Sequence, residues 1–191
     1  MAGSARYTAL LDANTLYPAP VRDLLLSLAV AGLYHARWST RIHEEWTRNL
    51  ALQRPEIAER LPQIVQLMNT AVPDSLVTGF EPLMDGLHLP DLDDRHVLAA
   101  AIVGHADAIV TFNLKDFPAD VLARHELEAL HPDDFVMNQL ELRQLDALAA
   151  IKTMRARLRN PPVSAADLIG ILERCGLPQS AARLRQAESL I

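Results

Sequence analysis

Carboxylates stand near amide or hydroxyl side chains at several places in the first 120 residues of the chain. The first is Asp12, which ends a short apolar run and is followed two residues later by Asn14. Carboxylate oxygens are the ligands that hard divalent cations bind in proteins, so Asp12 is a candidate metal ligand. Because Asp and Asn are also common in turns and helix caps, a purely structural role is the alternative.

A second acidic place is the predicted helix that contains Glu44 and Glu45. At about 100° per residue, Glu45 falls on the inward face with Ile42 and Leu52, whereas Glu44 points away and is expected to be a surface acid. Arg41 and Arg48, four residues before Glu45 and three after it, could neutralise it in an ordinary salt bridge.

A third place is the start of another predicted helix, where Asp91, Asp93 and Asp94 follow one another closely. The helix dipole favours negative charge at this end, and either Asp91 or Asp93 can cap the helix. Asp94 instead falls on the apolar face of the same helix, where an unpaired carboxylate is costly. We therefore expect Asp94 to have a partner, and a metal ion is one candidate.

The fourth place is the segment that follows the predicted strand over residues 107–111. Asn113 and Asp116 lie in it and could face one cleft, although an ordinary polar loop is the alternative. None of the seven histidines pairs with other ligands at a zinc-binding spacing. One of them, His105, falls on the apolar stripe of its helix and is expected to be a packed core residue.

The elements that position these groups alternate along the chain. Apolar runs predict strands over residues 7–11, 34–38 and 107–111. Helices are predicted over residues 21–32, 41–53, 55–68 and 91–104, the second capped by Ser39 or Thr40. Residues 72–90 are predicted to be loop with room for one short strand. This β-α-β-α order predicts a parallel sheet with helices on both faces, in which ligands bind at the carboxyl ends of strands.

The pattern becomes helical from about residue 138. An apolar stripe that includes Leu142 and Leu145 predicts a helix to about residue 158, and Ser164 is expected to cap the next one. We therefore predict an α/β body over residues 1–137 and an all-helical extension over residues 138–191. About 50 residues are too few for a large core, so the extension should pack on the body or on a partner.

The charge of the chain follows the same division. The formal net charge is −6, which argues against a simple polycationic nucleic-acid binder. Residues 1–137 hold 10 Lys and Arg against 19 Asp and Glu, whereas residues 138–191 hold 8 against 5. The basic residues of the extension are either partners of helix C-termini or contacts for phosphate, a protein partner or a second copy.

The compartment is predicted from cysteine use and from the N-terminus. The single cysteine, Cys175, cannot form an internal disulfide, which favours the cytoplasm. Residues 1–6 lack a signal-peptide pattern, and the longest nearly apolar stretch, residues 24–34, is shorter than the roughly 20 residues that span a bilayer. We therefore expect a cytoplasmic protein without a membrane segment.

Taken together and in this order, the acidic groups resemble the PIN-domain nucleases, particularly the VapC-type toxins of bacterial toxin–antitoxin pairs. The resemblance spans about residues 6–136. It depends most on the Asp94 segment with its small apolar residues 99–101 and on the segment from Thr111 to Phe117. Many relatives carry Asp where this chain has Asn113. The resemblance implies a PIN-like α/β/α sandwich.

The resemblance also implies a function, which is that of a metal-dependent endoribonuclease using Mg²⁺ or Mn²⁺. Its partners would be an RNA substrate and a cognate antitoxin protein, with a homodimer as a further option. The catalytic residues implied are Asp12, Glu45, Asp94 and Asp116. The metal ligands implied are Asp12, Asp94, Asp116 and, as an additional ligand, Asp91. Glu45 would orient or deprotonate the attacking water, and the supporting residues would be Asn14, Thr111 and Asn113.

Two other functional classes stay open at this point. A haloacid-dehalogenase-type phosphatase also uses an Asp at a strand end, but it needs a second Asp at the position of Asn14. A catalytically silent PIN-like module would act through protein contacts, and the amide at Asn113 keeps that alternative open. Cleavage of RNA with and without EDTA distinguishes the nuclease from both.

Overall fold

A five-stranded sheet positions the candidate site. The structure, a computed structural model, describes residues 7–191; residues 1–6, on which the expectation of no signal peptide and the start of the predicted body rest, lie outside the described residues. The strands are β1 (Thr8–Leu11), β2 (His35–Ser39), β3 (Leu76–Val77), β4 (Ala108–Val110) and β5 (Glu128–Leu130). They pair in parallel in the order β3-β2-β1-β4-β5, which confirms the predicted class.

The strand order has a reversal between β1 and β4. The chain moves from β1 outward to β2 and β3 on one side, then returns to place β4 on the other side of β1. In parallel sheets the ligand crevice opens at such a reversal, beyond the carboxyl ends of the strands. Asp12 directly follows β1 and Thr111 directly follows β4, so the topology brings both residues to this crevice.

The two central strands, β1 and β4, are buried and consist of apolar residues, instead of alternating between apolar and polar ones. Leu10 and Leu11 of β1 and Ile109 and Val110 of β4 have no exposed surface. A strand covered on both faces needs apolar side chains on both, which is why these segments are continuous apolar runs. In register, Leu10 lies opposite Arg37 on β2 and Ile109 on β4.

The helices connect these strands and form the C-terminal region. They are α1 (Ala13–Leu16), α2 (Ala19–Val30), α3 (Thr40–Gln53), α4 (Leu61–Ala71), α5 (Arg95–Val103), α6 (Ala119–Leu122), α7 (Pro132–Leu142), α8 (Gln144–Ala156), α9 (Ala165–Arg174) and α10 (Pro178–Arg185). Short 3₁₀ turns occupy Pro55–Arg60, Glu81–Gly86, Leu114–Asp116, Ala123–His125 and Glu188–Leu190. Within residues 7–191, no helix has the length and apolar character that crossing a membrane requires.

Several predicted boundaries differ from the structure for local reasons. The helix predicted over residues 55–68 is a 3₁₀ turn followed by α4, because Pro62 has no N–H to continue one α-helical ladder. Between residues 118 and 138, where no element is predicted, the structure has α6, β5 and the start of α7. β5 has only three residues, too few to show a period.

The start of α5 corrects the predicted cap. The helix begins at Arg95 with Asp94, not Asp91 or Asp93, in the N-cap position. Asp94 has φ −78° and ψ −5°, which is helical rather than the extended conformation that a side-chain cap needs, and its carboxylate makes no cap bond. Asp91 Oδ1 instead accepts a hydrogen bond of 2.9 Å from the Asp93 backbone N–H.

The end of α5 corrects the placement of His105. A Cβ on Gly104 would lie 2.9 Å from Val77 Cγ2, so the close approach of the two segments requires glycine at the helix end. His105 follows with φ 47°, in the left-handed region, and its N–H donates to Ile102 O at 3.1 Å. A left-handed residue in this position ends an α-helix. His105 is exposed and not a packed core residue, because the helix has already ended.

Contacts divide the described residues into two compact units. The first contains residues 7–17 and 34–131, with the sheet and helices α1 and α3 to α6. The second contains residues 18–33 and 132–191, in which α2 packs on α8, and α10 packs on α7 and α9. The proposed domain boundary between residues 137 and 138 falls inside α7, and its position stays a prediction.

The apolar stripe predicted for the extension is interrupted. α7 ends at Leu142 and α8 begins after Arg143, whose side chain bonds to Gly32 O at 2.9 Å and pairs with Asp146 at 2.7 Å. This break changes the helical phase, so Leu142 and Leu145 are exposed, by 78% and 79%, instead of lying in the core. The predicted Ser164 cap is confirmed, since its Oγ accepts from a backbone N–H at 3.0 Å.

Candidate active site

Asp12 is the most buried carboxylate of the site, with 4% of its surface exposed. Its Oδ1 accepts a hydrogen bond of 2.6 Å from Ala13 N–H, which caps α1. Its Oδ2 accepts from Asn14 Nδ2 and from Thr111 Oγ1, both at 2.7 Å. Each of these neighbours donates to the carboxylate, so they stabilise its ionised form.

The surroundings of Asp12 act on its pKa in opposite directions. Burial is the largest effect and raises the pKa to about 6, against the hydrogen bonds from Thr111 and Ala13, which lower it. The charge of Glu45 raises the pKa further, and His96 lowers it. The protonation of Asp12 therefore changes close to neutral pH instead of near pH 4.

The supporting residues join the ends of β1 and β4. Asn14 Nδ2 donates to Thr111 Oγ1 at 2.9 Å as well as to Asp12, and Asn14 Oδ1 accepts from Phe112 N–H at 3.0 Å. Thr111 Oγ1 also accepts from Asn113 N–H at 3.0 Å. The three predicted supporting residues thus lie in one hydrogen-bonded network around Asp12.

Glu45 lies on α3 with 34% of its side chain exposed, and it pairs with a residue that the sequence does not indicate. Its Oε2 is 3.4 Å from His96 Nε2 on α5, and His96 is buried. In the part of the chain that the structure describes, the ion pair within 4 Å of Glu45 is this one and not a pair with Arg41 or Arg48. His96 is not apparent from the sequence, since no periodicity distinguishes a histidine that meets another helix from one in the core.

Asp94 is half-buried and reports how the acids are arranged. Burial is the largest cause that raises its pKa, followed by the charges of four other carboxylates, and together they bring it to about 7. Those four are Asp12, Asp91, Asp116 and Glu45, which with Asp94 we call the acidic cluster. Every carboxylate predicted for the site therefore lies close enough to act on one side chain.

Asp116 lies in the 3₁₀ turn after β4, together with Asn113. The Asn113 amide Nδ2 donates to Asp116 Oδ2, and the Asp116 N–H donates back to Asn113 O at 3.1 Å. Both residues are partly buried. Asn113 therefore holds Asp116 by its side chain, a contact that a carboxylate at the same position would not provide without a proton or a cation.

An open cleft of about 400 Å³ leads to the acidic cluster. Its lining residues are Arg41, Glu44, Glu45, Arg48, Asp91, Asp93, Asp94 and His96. Arg41 and Arg48 are exposed and supply guanidinium groups, which suit contact with a phosphate. Glu44 is exposed, as expected for a surface acid. The cleft thus combines an acidic interior with two guanidinium groups at its lining, those of Arg41 and Arg48.

The side chains of the site offer oxygen donors to a divalent cation without forming a finished coordination site. Among residues 7–191, no group of three His, Cys, Asp or Glu side chains is arranged as a preformed metal site. The acidic cluster consists of oxygen donors, which suit Mg²⁺ and Mn²⁺. Burial is the main cause of the raised pKa values of Asp12 and Asp94, and repulsion between the carboxylates, which a cation would relieve, raises them further. The donors therefore fit such a cation in their chemistry, and closer approach of the carboxylates would have to accompany binding.

Comparison with known proteins gives three findings. A family model described as PIN domain matches residues 8–115, and one described as VapC50 C-terminal domain matches residues 132–186. Over 131 residues the chain is 37% identical to "Putative ribonuclease VapC50" of Mycobacterium tuberculosis (strain ATCC 25618 / H37Rv). The aligned region covers 66% of this chain and 76% of that protein. No solved structure matches the chain.

Proposed function

The chain belongs to the PIN-domain family, and from that membership we propose that it is a metal-dependent endoribonuclease, the toxin of a VapC-type toxin–antitoxin pair. The observation that carries the proposal is the convergence of five carboxylates beyond the strand ends, where four of them raise the pKa of Asp94. The similar protein from Mycobacterium tuberculosis is named as a ribonuclease, which supports RNA as the substrate class.

The proposed metal ligands are carboxylates of the acidic cluster: Asp12, Asp94, Asp116 and, as an additional ligand, Asp91. Mg²⁺ or Mn²⁺ is the proposed cofactor. When bound, such a cation lowers the pKa of water and offsets charge that develops on the phosphate. The hydrogen bonds from Ala13, Asn14 and Thr111 would keep Asp12 ionised and correctly oriented for this role.

Glu45 is the proposed general base. Its carboxylate is one-third exposed, so water can reach it, and its Oε2 would accept a proton from the attacking water. His96 Nε2, at 3.4 Å from Oε2, would hold the carboxylate in that orientation. We regard His96 as a positioning residue because it acts through Glu45.

The remaining polar groups would bind and orient the substrate. Arg41 and Arg48 line the cleft and would contact phosphates on either side of the scissile bond. Asn113 would position Asp116 through its amide, and Asn14 and Thr111 would hold the loops after β1 and β4 together. Cleavage by these groups requires no histidine or cysteine nucleophile.

The proposed protein partner is a cognate antitoxin, and a homodimer is a further proposal. Both rest on family membership and on the name of the similar protein. The matched VapC50 C-terminal domain, residues 132–186, makes the second unit the first place to look for contacts specific to this subfamily. Expression of the toxin alone should arrest growth of a bacterial host, and co-expression of the protein encoded next to it should relieve the arrest.

Neither rival function has an observation in its favour. A haloacid-dehalogenase-type phosphatase needs an acid two residues after Asp12, whereas Asn14 is an amide that donates to Asp12 and to Thr111. A silent PIN-like module has no need of five converging carboxylates, whose repulsion costs stability. With Asn113, the site has one carboxylate fewer than in many relatives, but the Asn113 amide makes a hydrogen bond to Asp116.

The direct experiment is cleavage of RNA by the purified chain. We expect cleavage with Mg²⁺ or Mn²⁺, loss of cleavage with excess EDTA, and recovery when the metal is restored. A generic phosphatase substrate should not be turned over under the same conditions. If the pure protein cleaves a broad set of cellular RNAs equally well with and without EDTA, the metal-dependent mechanism is wrong.

A further inference from the structure

A second groove, of about 690 Å³, lies between α3 and the Pro55–Arg60 turn with α4. Its walls are mainly apolar and include Ala51, Ala58, Leu61 and Val65; we call it the α3–α4 groove. Its size falls within the range of about 300–1,000 Å³ that small-molecule sites have. Nothing described so far in the proposed reaction uses it.

The α3–α4 groove is continuous with the catalytic cleft. Glu44 and Arg48 line both cavities. These two residues are four positions apart on α3, so they form one ridge on the helix surface that the two cavities share. A single-stranded nucleic acid held in the cleft can therefore place its next nucleotide in the groove without leaving the protein surface.

The polar floor of the groove has a defined orientation. Trp46 Nε1 can only donate, so His43 Nδ1 accepts its hydrogen bond at 3.0 Å and the proton of the neutral ring lies on Nε2. His43 Nε2 then faces Asn69 Oδ1 at 3.3 Å, and Trp38 Nε1 donates to the same oxygen at 2.7 Å. Asn69 Oδ1 is thus occupied by Trp38 and His43, and because Asn69 lines the groove, its Nδ2 is the amide group left for a ligand there.

This donor is held rigidly. Trp38 and Trp46 have no exposed surface, and His43 is 4% exposed, so the groups that orient Asn69 cannot move without disturbing the core. A fixed N–H donor in an apolar slot is the arrangement that binding sites use to fix orientation. The groove therefore selects a ligand with flat or apolar faces and an acceptor on one edge.

We propose that the α3–α4 groove binds a nucleobase of the RNA strand that occupies the catalytic cleft. Asn69 Nδ2 donates to an acceptor on the base edge, and Arg48 contacts the phosphate that links this nucleotide to the cleft. The Glu44 carboxylate also lines both cavities and repels a phosphate, so the phosphate contact depends on the positive charge of Arg48. The inference rests on the proposed nuclease function and deepens it, since it assigns a residue that determines base preference.

A base fits the groove better than an extended peptide does. The groove is lined by one oriented amide donor, Asn69 Nδ2, and by the Arg48 guanidinium, which match one base edge and one phosphate. An extended peptide would need a series of backbone donors and acceptors along its length. The shared ridge at Arg48 also ties the occupant to the strand in the cleft.

The test measures binding of short single-stranded RNAs to the full chain carrying Asp12→Asn, which prevents cleavage. Four fluorescent homopolymeric RNAs are compared by anisotropy at one salt concentration, with Mg²⁺ present. Ala51→Trp fills the groove from its partly exposed edge. Leu52→Trp is the matched control, since Leu52 is the next residue, is 76% exposed and does not line the groove.

We expect Ala51→Trp to weaken binding of the preferred RNA about tenfold and Leu52→Trp to leave it unchanged. Asn69→Asp keeps an inward oxygen for Trp38 and His43 but replaces the outward donor with an acceptor. It should change the order of preference among the four RNAs, whereas Ala51→Trp should reduce the differences between them.

The possible contrary results are distinct. If the Asp12→Asn protein binds no RNA, the proposed function and this inference both fail. If it binds RNA but Ala51→Trp and Leu52→Trp bind alike, only the inference fails. If Ala51→Trp abolishes self-association in solution and leaves RNA affinity unchanged, the groove binds a second copy of the chain and the inference is wrong.

Discussion

The hydroxyl of Thr111 donates to Oδ2 of Asp12 at 2.7 Å, although the two residues are 99 positions apart in the chain. The bond joins the carboxyl ends of β1 and β4 at the reversal of the strand order. It is also the largest of the influences that lower the pKa of Asp12 against its burial. One contact therefore links the topology of the sheet to the protonation of the proposed metal ligand.

Replacing Thr111 with Val tests this relationship. Val has a similar shape but no donor, so the pKa of Asp12 should rise further above about 6. Stability should fall by about 1 kcal/mol, the usual net value of one hydrogen bond. Cleavage should fall more at pH 6 than at pH 8, because a larger fraction of Asp12 is then protonated at the lower pH. The pH–rate profiles of both proteins measure this.

Thr111→Ser is the matched control, because it keeps the hydroxyl and removes only a methyl group. It should retain the profile of the unchanged protein. Parallel profiles for Thr111→Val and the unchanged protein would show that this hydroxyl does not control the ionisation of Asp12.

The carboxylate of Asp94 gives the second prediction. Asp94→Asn should abolish metal-dependent cleavage of RNA and leave the fold intact. It should also raise the melting temperature of the metal-free protein near pH 8, since it removes one charge from a repelling cluster. Asp120→Asn, at an exposed acid in the first turn of α6, is the control and should change neither property. Cleavage assays and thermal melts in EDTA distinguish loss of chemistry from loss of folding.

The pH dependence of stability is the third prediction. The folded-state pKa values of Asp12 and Asp94 are raised from 3.8 to about 6 and about 7. Between pH 3.8 and about 7 the folded protein binds more protons at these two groups than the unfolded chain does. The free energy of unfolding that they contribute therefore falls as the pH rises. A cation binds the ionised carboxylates, so the stabilisation by Mn²⁺ should grow over the same window.

This prediction is measured as the difference in melting temperature with Mn²⁺ and with EDTA, from pH 5 to pH 8. Asp94→Asn should flatten the dependence, because the group with the higher pKa has been removed. A metal-induced shift that is equal at both ends of the range would contradict proton–metal competition at the acidic cluster.

His96 gives the fourth prediction. His96→Leu removes the donor that faces Glu45 Oε2 at 3.4 Å and should lower kcat about tenfold, with little change in KM, since the role proposed for Glu45 is in the chemical step. His96→Gln restores an N–H donor and should recover part of the loss. A similar fall for both variants, together with a lower melting temperature, would show that His96 only packs the core.

The sequence predicts those parts of the site that depend on local pattern. Apolar runs locate β1 and β4, and the polar residue at each strand end identifies Asp12 and Thr111. The 3.6-residue period places Glu45 on the face of α3 that contains the buried Ile42, although Leu52, which is predicted on the same face, is exposed at the end of the helix. These features depend on a few neighbouring residues, so one sequence is sufficient to find them.

Other features depend on contacts between distant segments, which local pattern does not contain. The pairing of Glu45 with His96 exists because α3 and α5 meet, and nothing near either residue indicates it. The same holds for the grouping of α2 with the C-terminal helices and for Arg143, whose bond to Gly32 accompanies the break that exposes Leu142. Asn69 is inconspicuous in the sequence for the same reason.

Asn113 gives the last prediction, because many PIN relatives carry Asp at this position. Asn113→Asp replaces the amide donor to Asp116 with a like charge and adds an oxygen ligand to the acidic cluster. The metal-free protein should therefore melt at a lower temperature near pH 8, and half-maximal cleavage should need less Mn²⁺. Melts in EDTA and Mn²⁺ titrations of cleavage measure the two effects. Asn113→Ala, which removes the donor without adding charge, is the control and should not lower the Mn²⁺ requirement. A higher Mn²⁺ requirement in Asn113→Asp would show instead that the amide is needed to position Asp116.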